Sequence, residues 1–256
     1  MMLMLEFKNI KYLFYDESKK INTILLPGFL QTNKSYQSMF DVIRKYSNLY
    51  VIEFPGFGIT KILEEVVTLD YFVIYLNEFI KKLNLKNVIL FGHSFGGRVI
   101  IKYEALYNNS ISIILMDAAG IKDRSFLVKF KIFKYKLLKK IYKIFRLKKH
   151  YQKLIKNSGS SDYQKLTNIE KQTFNNIIKE DLSKMLKKIA TTTLIIWGEQ
   201  DTTTPICMGL KMNKQIMNSH LIIVENAHHF PHIERPIFVN NVLDNFYQGV
   251  IISLYQ

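Results

Sequence analysis

Val88-Ile89-Leu90-Phe91-Gly92-His93-Ser94-Phe95-Gly96-Gly97-Arg98 decides how this chain is read. Four apolar residues in a row predict a buried strand. Val99, Ile100, Ile101 and Tyr103 predict a helix beyond the glycines. The serine then stands at the apex of a strand, a sharp turn and a helix. G-x-S-x-G in that setting is the pattern of a nucleophile elbow, in which a strained turn lifts the serine hydroxyl above a sheet. Gly92 and Gly96 flank the serine because side chains there would meet the turn or the adjoining backbone. As an isolated pentapeptide the pattern is weak; its place between strand and helix gives it weight, provided the chain supplies partners for the serine.

Working outward, the same rhythm repeats. Residues 3–8 and 11–15 alternate as an antiparallel hairpin at a sheet edge. Thr23-Ile24-Leu25-Leu26 predicts a short buried strand that ends at Pro27-Gly28-Phe29-Leu30. Tyr36, Met39, Phe40 and Ile43 have helical spacing, and Leu49-Tyr50-Val51-Ile52 predicts another buried strand. A helix capped by Thr68 or Asp70 carries Phe72, Val73, Leu76, Phe79, Ile80 and Leu83 on its apolar face. Residues 111–116 form a strand ending at Asp117. Strands resume at Thr193-Leu194-Ile195-Ile196-Trp197 and Leu221-Ile222-Ile223-Val224, and a helix over 236–246 closes the pattern. Strands alternating with helices imply a mostly parallel sheet with helices on both faces. Between 120 and 188 the rhythm breaks, with a loop expected at 157–162 and helices over 168–178 and 182–189, so the expected organisation is a core of 1–119 and 189–256 with 120–188 inserted as a helical cap.

Composition narrows the classes. With 256 residues, 48% hydrophobic, the chain can bury one large core. A single cysteine, Cys207, excludes an intramolecular disulfide and a thiolate cluster. The start, Met1-Met2-Leu3-Met4-Leu5-Glu6, is too short and too soon acidic for a secretory signal, and no apolar run approaches the roughly 20 residues of a membrane span. The expected location is therefore cytoplasmic. The net charge of +15 is local: residues 121–156 hold 14 Lys and Arg against the single acid Asp123, so +13 lies there.

A serine is a poor nucleophile without a base to take its proton and a third group to orient that base. Candidates should stand just beyond strand ends, where open α/β sheets bind ligands. Asp117, Glu199 and Asp201 are the acids so placed; His228, His229 and His232 are the histidines. An acid and a histidine following the serine give the order Ser…Asp…His. Three close histidines invite a zinc reading, but no fourth ligand lies near them and no metal is expected. The glycines of the elbow lack both dinucleotide spacing and a P-loop lysine, so no nucleotide cofactor is expected.

With these motifs in place, the chain resembles the α/β-hydrolase superfamily, particularly capped bacterial serine esterases and C–C bond hydrolases. The resemblance rests on Pro27-Gly28-Phe29, Phe54-Pro55-Gly56-Phe57-Gly58, the elbow, Trp197-Gly198-Glu199-Gln200-Asp201, and His229-Phe230-Pro231-His232-Ile233-Glu234-Arg235-Pro236. It covers the core fully and the cap loosely. It implies the α/β-hydrolase fold, with Ser94 as nucleophile, Asp201 as orienting acid and His229 as general base. His228 takes the position of a usual glycine, His232 is expected to pack or to hydrogen-bond, and His93 to pack beside the elbow. The oxyanion hole is implied at the backbone N–H groups of Phe95 and Phe29. Many relatives carry His-Gly where this chain has Pro27-Gly28, so some hydrogen bonding that braces the loop is expected to be lost. Aspartate-based dehalogenase and epoxide hydrolase chemistry is excluded by the serine.

Arg98 reads as a helix-surface cation or, more sharply, as an anchor for a substrate carboxylate. In the insertion, Phe126, Phe130, Phe133, Leu137, Ile141 and Ile144 form an amphipathic stripe amid lysines. The main expectation is an apolar stripe over the active-site mouth with lysines in water. The second is peripheral contact with an anionic membrane. No nucleic-acid partner is expected. The resulting expectation is a cofactor-free serine hydrolase of a small to medium, apolar carboxylic ester. A C–C hydrolase using the same residues, or a non-catalytic ligand-binding protein of this fold, is the alternative.

Overall fold

A computed structural model describes residues 2–55, 60, 64–122, 137–142, 147–150 and 166–254. Its strands are β1 (Met2–Phe7), β2 (Ile10–Tyr15), β3 (Ile21–Leu26), β4 (Ser47–Ile52), β5 (Val88–His93), β6 (Ser112–Met116), β7 (Thr192–Gly198) and β8 (Ser219–Val224). They form one eight-stranded sheet in the order β1-β2-β4-β3-β5-β6-β7-β8. β1 and β2 are an antiparallel hairpin, and β2 meets β4 antiparallel; every other pairing is parallel. The hairpin turns on Lys8 and Asn9, both with positive φ (48° and 63°), the backbone that a two-residue connection between right-twisted strands needs.

The helices are α1 (Gln37–Tyr46), α2 (Leu69–Lys82), α3 (Phe95–Tyr107), α4 (Asn168–Lys179), α5 (Ile206–Gln215), α6 (Pro231–Glu234) and α7 (Pro236–Leu254). Strand periodicity explains how both faces are covered. Ile89 and Phe91 of β5, with Leu49 and Val51 of β4, join a core built with Met39, Phe40 and Ile43 of α1 and Val239, Leu243 and Tyr247 of α7. Their neighbours Val88, Leu90, Tyr50 and Ile52 face the opposite way, into a core with α2, α3 and Met212 of α5. A strand buried on both faces reads as a continuous apolar run, as β5 does. The doubly covered, mostly parallel sheet expected from the sequence is the one found.

Four local expectations change. α5 was not anticipated: its sequence carries Gly209 mid-helix, a weak helix former. A Cβ there would lie 2.7 Å from the Trp197 indole, so packing outweighs propensity. α7 runs on to Leu254, and 182–188 forms two 3-10 turns in place of an α-helix. Thr68 occupies the N-cap of α2 but its side chain makes no capping bond. By contrast, Thr167 and Glu170 close a capping box on α4.

Between β6 and β7 the described residues hold helical pieces at 137–142 and 148–150, then α4 and the two 3-10 turns. Phe126, Phe130, Phe133 and Ile144 of the expected stripe, the loop expected at 157–162, and Gly56-Phe57-Gly58 lie outside the described residues. Among the described residues no helix is long and apolar enough to cross a membrane.

Candidate active site

The elbow is built by crowding. A Cβ on Gly96 would lie 2.0 Å from the Leu26 carbonyl oxygen, and one on Gly92 would lie 2.5 Å from Gly96 C and Gly97 N. Only bare backbone lets α3 start this close to β3 and β5. Ser94 therefore adopts φ 48° and ψ −107°, a region that is costly for a residue with a Cβ. It is held there by its own backbone: Ser94 N–H donates to Met116 O at 3.0 Å, while its carbonyl accepts from Ala119 N–H at 2.9 Å and Arg98 N–H at 3.2 Å.

His229 sits between two partners. Its Nε2 lies 3.0 Å from Ser94 Oγ, and its Nδ1 lies 2.7 Å from Asp201 Oδ2. Asp201 is in turn fixed at the end of β7, accepting from Thr203 N–H (2.7 Å), Thr204 N–H (3.0 Å) and the Thr204 hydroxyl (2.6 Å). Burial alone would raise its pKa. The bonds from His229 and Thr204 outweigh that and hold the carboxyl below its ordinary value.

The rival acids and histidines make other contacts. Asp117 ends β6 and accepts from Gly198 N–H at 2.8 Å; burial, then the neighbouring Asp201 charge, push its carboxyl well above the usual range. Glu199 is exposed and accepts from Asn226 N–H. His228 is exposed too, its Nδ1 2.9 Å from Glu234 Oε2. His232 and His93 are buried; His93 does more than pack, since both its ring nitrogens are hydrogen-bonded. Among the described residues, the group with metal-ligand spacing is Asp117, Asp201 and His229, whose donor atoms lie within 4.8 Å of one another. The three histidines of the loop after β8 do not form such a group. Two of the three members are already hydrogen-bonded to each other, and the third is a carboxyl that burial favours protonated.

A cavity of about 330 Å³ opens above Ser94, with Phe29, Phe95, Phe174, Ile177, Ile178 and Phe230 in its apolar lining. Phe29 and Phe95 stand beside the serine, their rings 6.2 Å apart, and Phe174 of α4 packs 4.7 Å from Phe29. The loop of Phe29 keeps a brace despite lacking the usual histidine: Gly28 N–H donates to the Tyr36 hydroxyl at 2.8 Å.

Arg98 is not a helix-surface cation. It is buried, its Nη1 donating to the carbonyls of Ile177 (3.0 Å) and Glu180 (2.8 Å) at the end of α4. Desolvation lowers its pKa to about 10, so it keeps its charge at neutral pH. Lys102, one turn further along α3, pairs with Asp70 at 2.8 Å and Glu180 at 2.7 Å. Thr204, Tyr36 and Lys102 were not singled out from the sequence; Tyr36 was noted only for its helical spacing, and none of the three sits in a motif.

Residues 23–242 match the alpha/beta hydrolase family. The chain belongs to that family. It is a hydrolase of the α/β-hydrolase superfamily, with lipase- and esterase-like relatives. Monoacylglycerol lipase ABHD6 of Bos taurus is 26% identical over 257 residues, covering 90% of this chain and 76% of the relative. The uncharacterized hydrolase YugF of Bacillus subtilis is 23% identical over 261 residues, covering 93% of this chain and 94% of the relative. Among solved structures, a membrane phospholipase A described as a bacterial virulence factor superposes with a TM-score of 0.74 at 17% identity, covering 98% and 86% of the two chains.

Proposed function

We propose that this α/β-hydrolase cleaves a carboxylic ester with a small to medium apolar acyl group, through an acyl-enzyme on Ser94. The observation that carries the reading is His229, hydrogen-bonded at once to Ser94 and to Asp201. His229 Nε2 takes the hydroxyl proton as Ser94 Oγ attacks the ester carbonyl. Asp201 holds the ring in the required tautomer and stabilises the imidazolium. The backbone N–H groups of Phe29 and Phe95 receive the negative oxygen of the tetrahedral intermediate. His229 then returns the proton to the departing alkoxide, which leaves as the alcohol. A water, deprotonated by the same histidine, attacks the acyl carbonyl; the bond to Ser94 Oγ breaks, the imidazolium returns its proton to that oxygen, and the acid leaves. No cofactor is called for.

The cavity supports the proposed substrate class. Among the described residues seven apolar side chains line it, and its volume lies at the lower end for small-molecule sites. Lipase-like relatives agree with an acyl group in that space. Residues 120–188 are the proposed cap, with α4 as one wall of the acyl site.

A fluorophosphonate probe tests the chemistry: it is expected to label the wild type and not Ser94→Ala. A folded wild type that takes no label overturns the serine-hydrolase reading. Turnover of p-nitrophenyl esters of rising chain length tests the substrate. Labelling without turnover at any length would move the reading to C–C bond hydrolysis by the same residues.

A further inference from the structure

Three separate loops meet at Ser94, and one buried chain of hydrogen bonds runs through all of them. Gly28 N–H, in the loop after β3, lies 2.8 Å from Tyr36 Oη. Tyr36 Oη lies 2.9 Å from His93 Nδ1, at the end of β5. His93 Nε2 lies 2.8 Å from the carbonyl oxygen of His229, in the loop after β8. Tyr36 and His93 are 0% and 1% exposed, so water does not complete these contacts.

Donor accounting gives the chain a single direction. A carbonyl oxygen only accepts, so His93 Nε2 carries the proton. Burial holds the His93 imidazole neutral and the Tyr36 phenol protonated. Neutral His93 then presents a lone pair at Nδ1, which takes the only proton of the Tyr36 hydroxyl. The Tyr36 oxygen is left to accept from Gly28 N–H. Every group is used once, in the order Gly28 to Tyr36 to His93 to His229.

Two further contacts suit this arrangement. A Cβ on residue 28 would lie 2.8 Å from His93 Nδ1, so the loop rests directly against the imidazole. The Tyr36 ring is stacked on His232, with centroids 4.9 Å apart and planes 6° from parallel, which fixes where the hydroxyl points.

We propose that Tyr36 and His93 are positioning residues for the reaction. Tyr36 sets the loop that carries Phe29 N–H, and His93 ties that loop to the backbone of the general base. The inference rests on the reading of Ser94 and His229 as nucleophile and base, and adds the means by which the oxyanion donor and the base keep a common register. Electrostatic stabilisation of an oxyanion depends on donors being fixed before the charge develops, and fixing loop donors is what this chain does.

Single-atom changes test it. Tyr36→Phe removes one oxygen and keeps the ring stacked on His232. His93→Gln keeps a donor near the position of Nε2 and loses the acceptor at Nδ1; His93→Asn does the reverse. With a p-nitrophenyl ester, Tyr36→Phe should lower kcat ~10- to 100-fold with KM changed less than about threefold, bounded by the 10²–10³-fold loss for removing an oxyanion donor outright. His93→Gln cuts only the second of the two links that Tyr36→Phe cuts, so it should lower kcat in the same direction and by no more, and the double variant should be no worse than Tyr36→Phe. Tyr36→Phe combined with His93→Asn cuts all three links and should be worse than each single variant. Should Tyr36→Phe fail to fold, His93→Gln carries the expectation in the same direction. A folded Tyr36→Phe with a lowered melting temperature but wild-type kcat would reduce the chain to packing and overturn the proposal. Fluorophosphonate labelling of the wild type separates the causes: no label overturns both readings, whereas a labelled wild type with unaffected variants overturns only this one.

Discussion

The cavity above Ser94 has two kinds of wall, and they are made differently. On the elbow side, main chain does much of the placing: Ser94 is set by the crowding of Gly92 and Gly96, and Asp201 by the turn at the end of β7. On the α4 side, Phe174, Ile177 and Ile178 belong to a helix outside the sheet. That helix is tied down by side chains, through Arg98 on two of its terminal carbonyls and Lys102 on Glu180. Ser94 and Asp201 are anchored largely by main chain, and the end of α4 by long cations. A change on the first side should strike kcat, and a change on the second should strike substrate preference.

The largest effect should separate Asp201 from Asp117. Both carboxyls are buried at adjacent strand ends, yet only Asp201 is bonded to His229. Asp201→Asn should lower kcat by ~10⁴, the order seen when the orienting acid of such a triad is replaced by its amide. Asp117→Asn should cost activity far less, because its carboxyl is already favoured in the neutral form. Steady-state kinetics on both variants checks this. Equal losses would mean that the two acids act as one unit and that the elbow wall extends to β6.

The other wall is addressed by Arg98→Met. The change leaves two carbonyls at the end of α4 without their donor, which should cost about 1–3 kcal/mol of stability. It should raise KM for long acyl chains by roughly tenfold, with kcat for a short ester and fluorophosphonate labelling both retained. Phe174→Ala should move the preference towards longer chains by enlarging the same wall. A chain-length series of p-nitrophenyl esters reads both. A collapse of kcat for every ester in Arg98→Met would erase the distinction between the walls.

What could be read from sequence follows the same division. Ser94, Asp201 and His229 each stand a fixed few residues past an apolar strand, and strand ends are visible as the end of an apolar run. The choice of His229 over His228 came from the family motif; geometry places His228 on Glu234. The surface-cation reading of Arg98 fails because its partners are carbonyls at the end of α4, 79 and 82 residues away, which no local pattern encodes. Tyr36 reads as an apolar position at helical spacing, and its hydroxyl gains meaning only when β5 brings His93 alongside. α5 was hidden by Gly209, whose place is set by the Trp197 ring. The parallel sheet was legible since its strands are buried on both faces.

The smallest expected effect concerns the acid stability of the elbow side. His93 and His232 are both buried, and burial lowers their pKa values, to about 4 for His232. Around His232 stand Tyr36 from the start of α1, His93 from β5, and His229 and Glu234 from its own loop and helix. In the unfolded chain a histidine titrates near 6.5. Between about 4 and 6.5 the unfolded state therefore binds a proton at His232 that the folded state does not. The stability this histidine contributes is present above pH 6.5 and is lost as pH falls, by about 1 kcal/mol between pH 7 and 5.5. Asp117 works with the opposite sign, since its raised pKa lets the folded state take up a proton first. The total slope is thus a difference, and a variant is needed to isolate one part of it. His232→Phe keeps a ring against Tyr36 and removes the titration. Thermal unfolding at pH 7 and 5.5 should show the variant losing about 1 kcal/mol less than the wild type. The same loss in both would mean that His232 has found a proton acceptor in the folded state, which would place a charge beside Tyr36 and change how that hydroxyl is oriented.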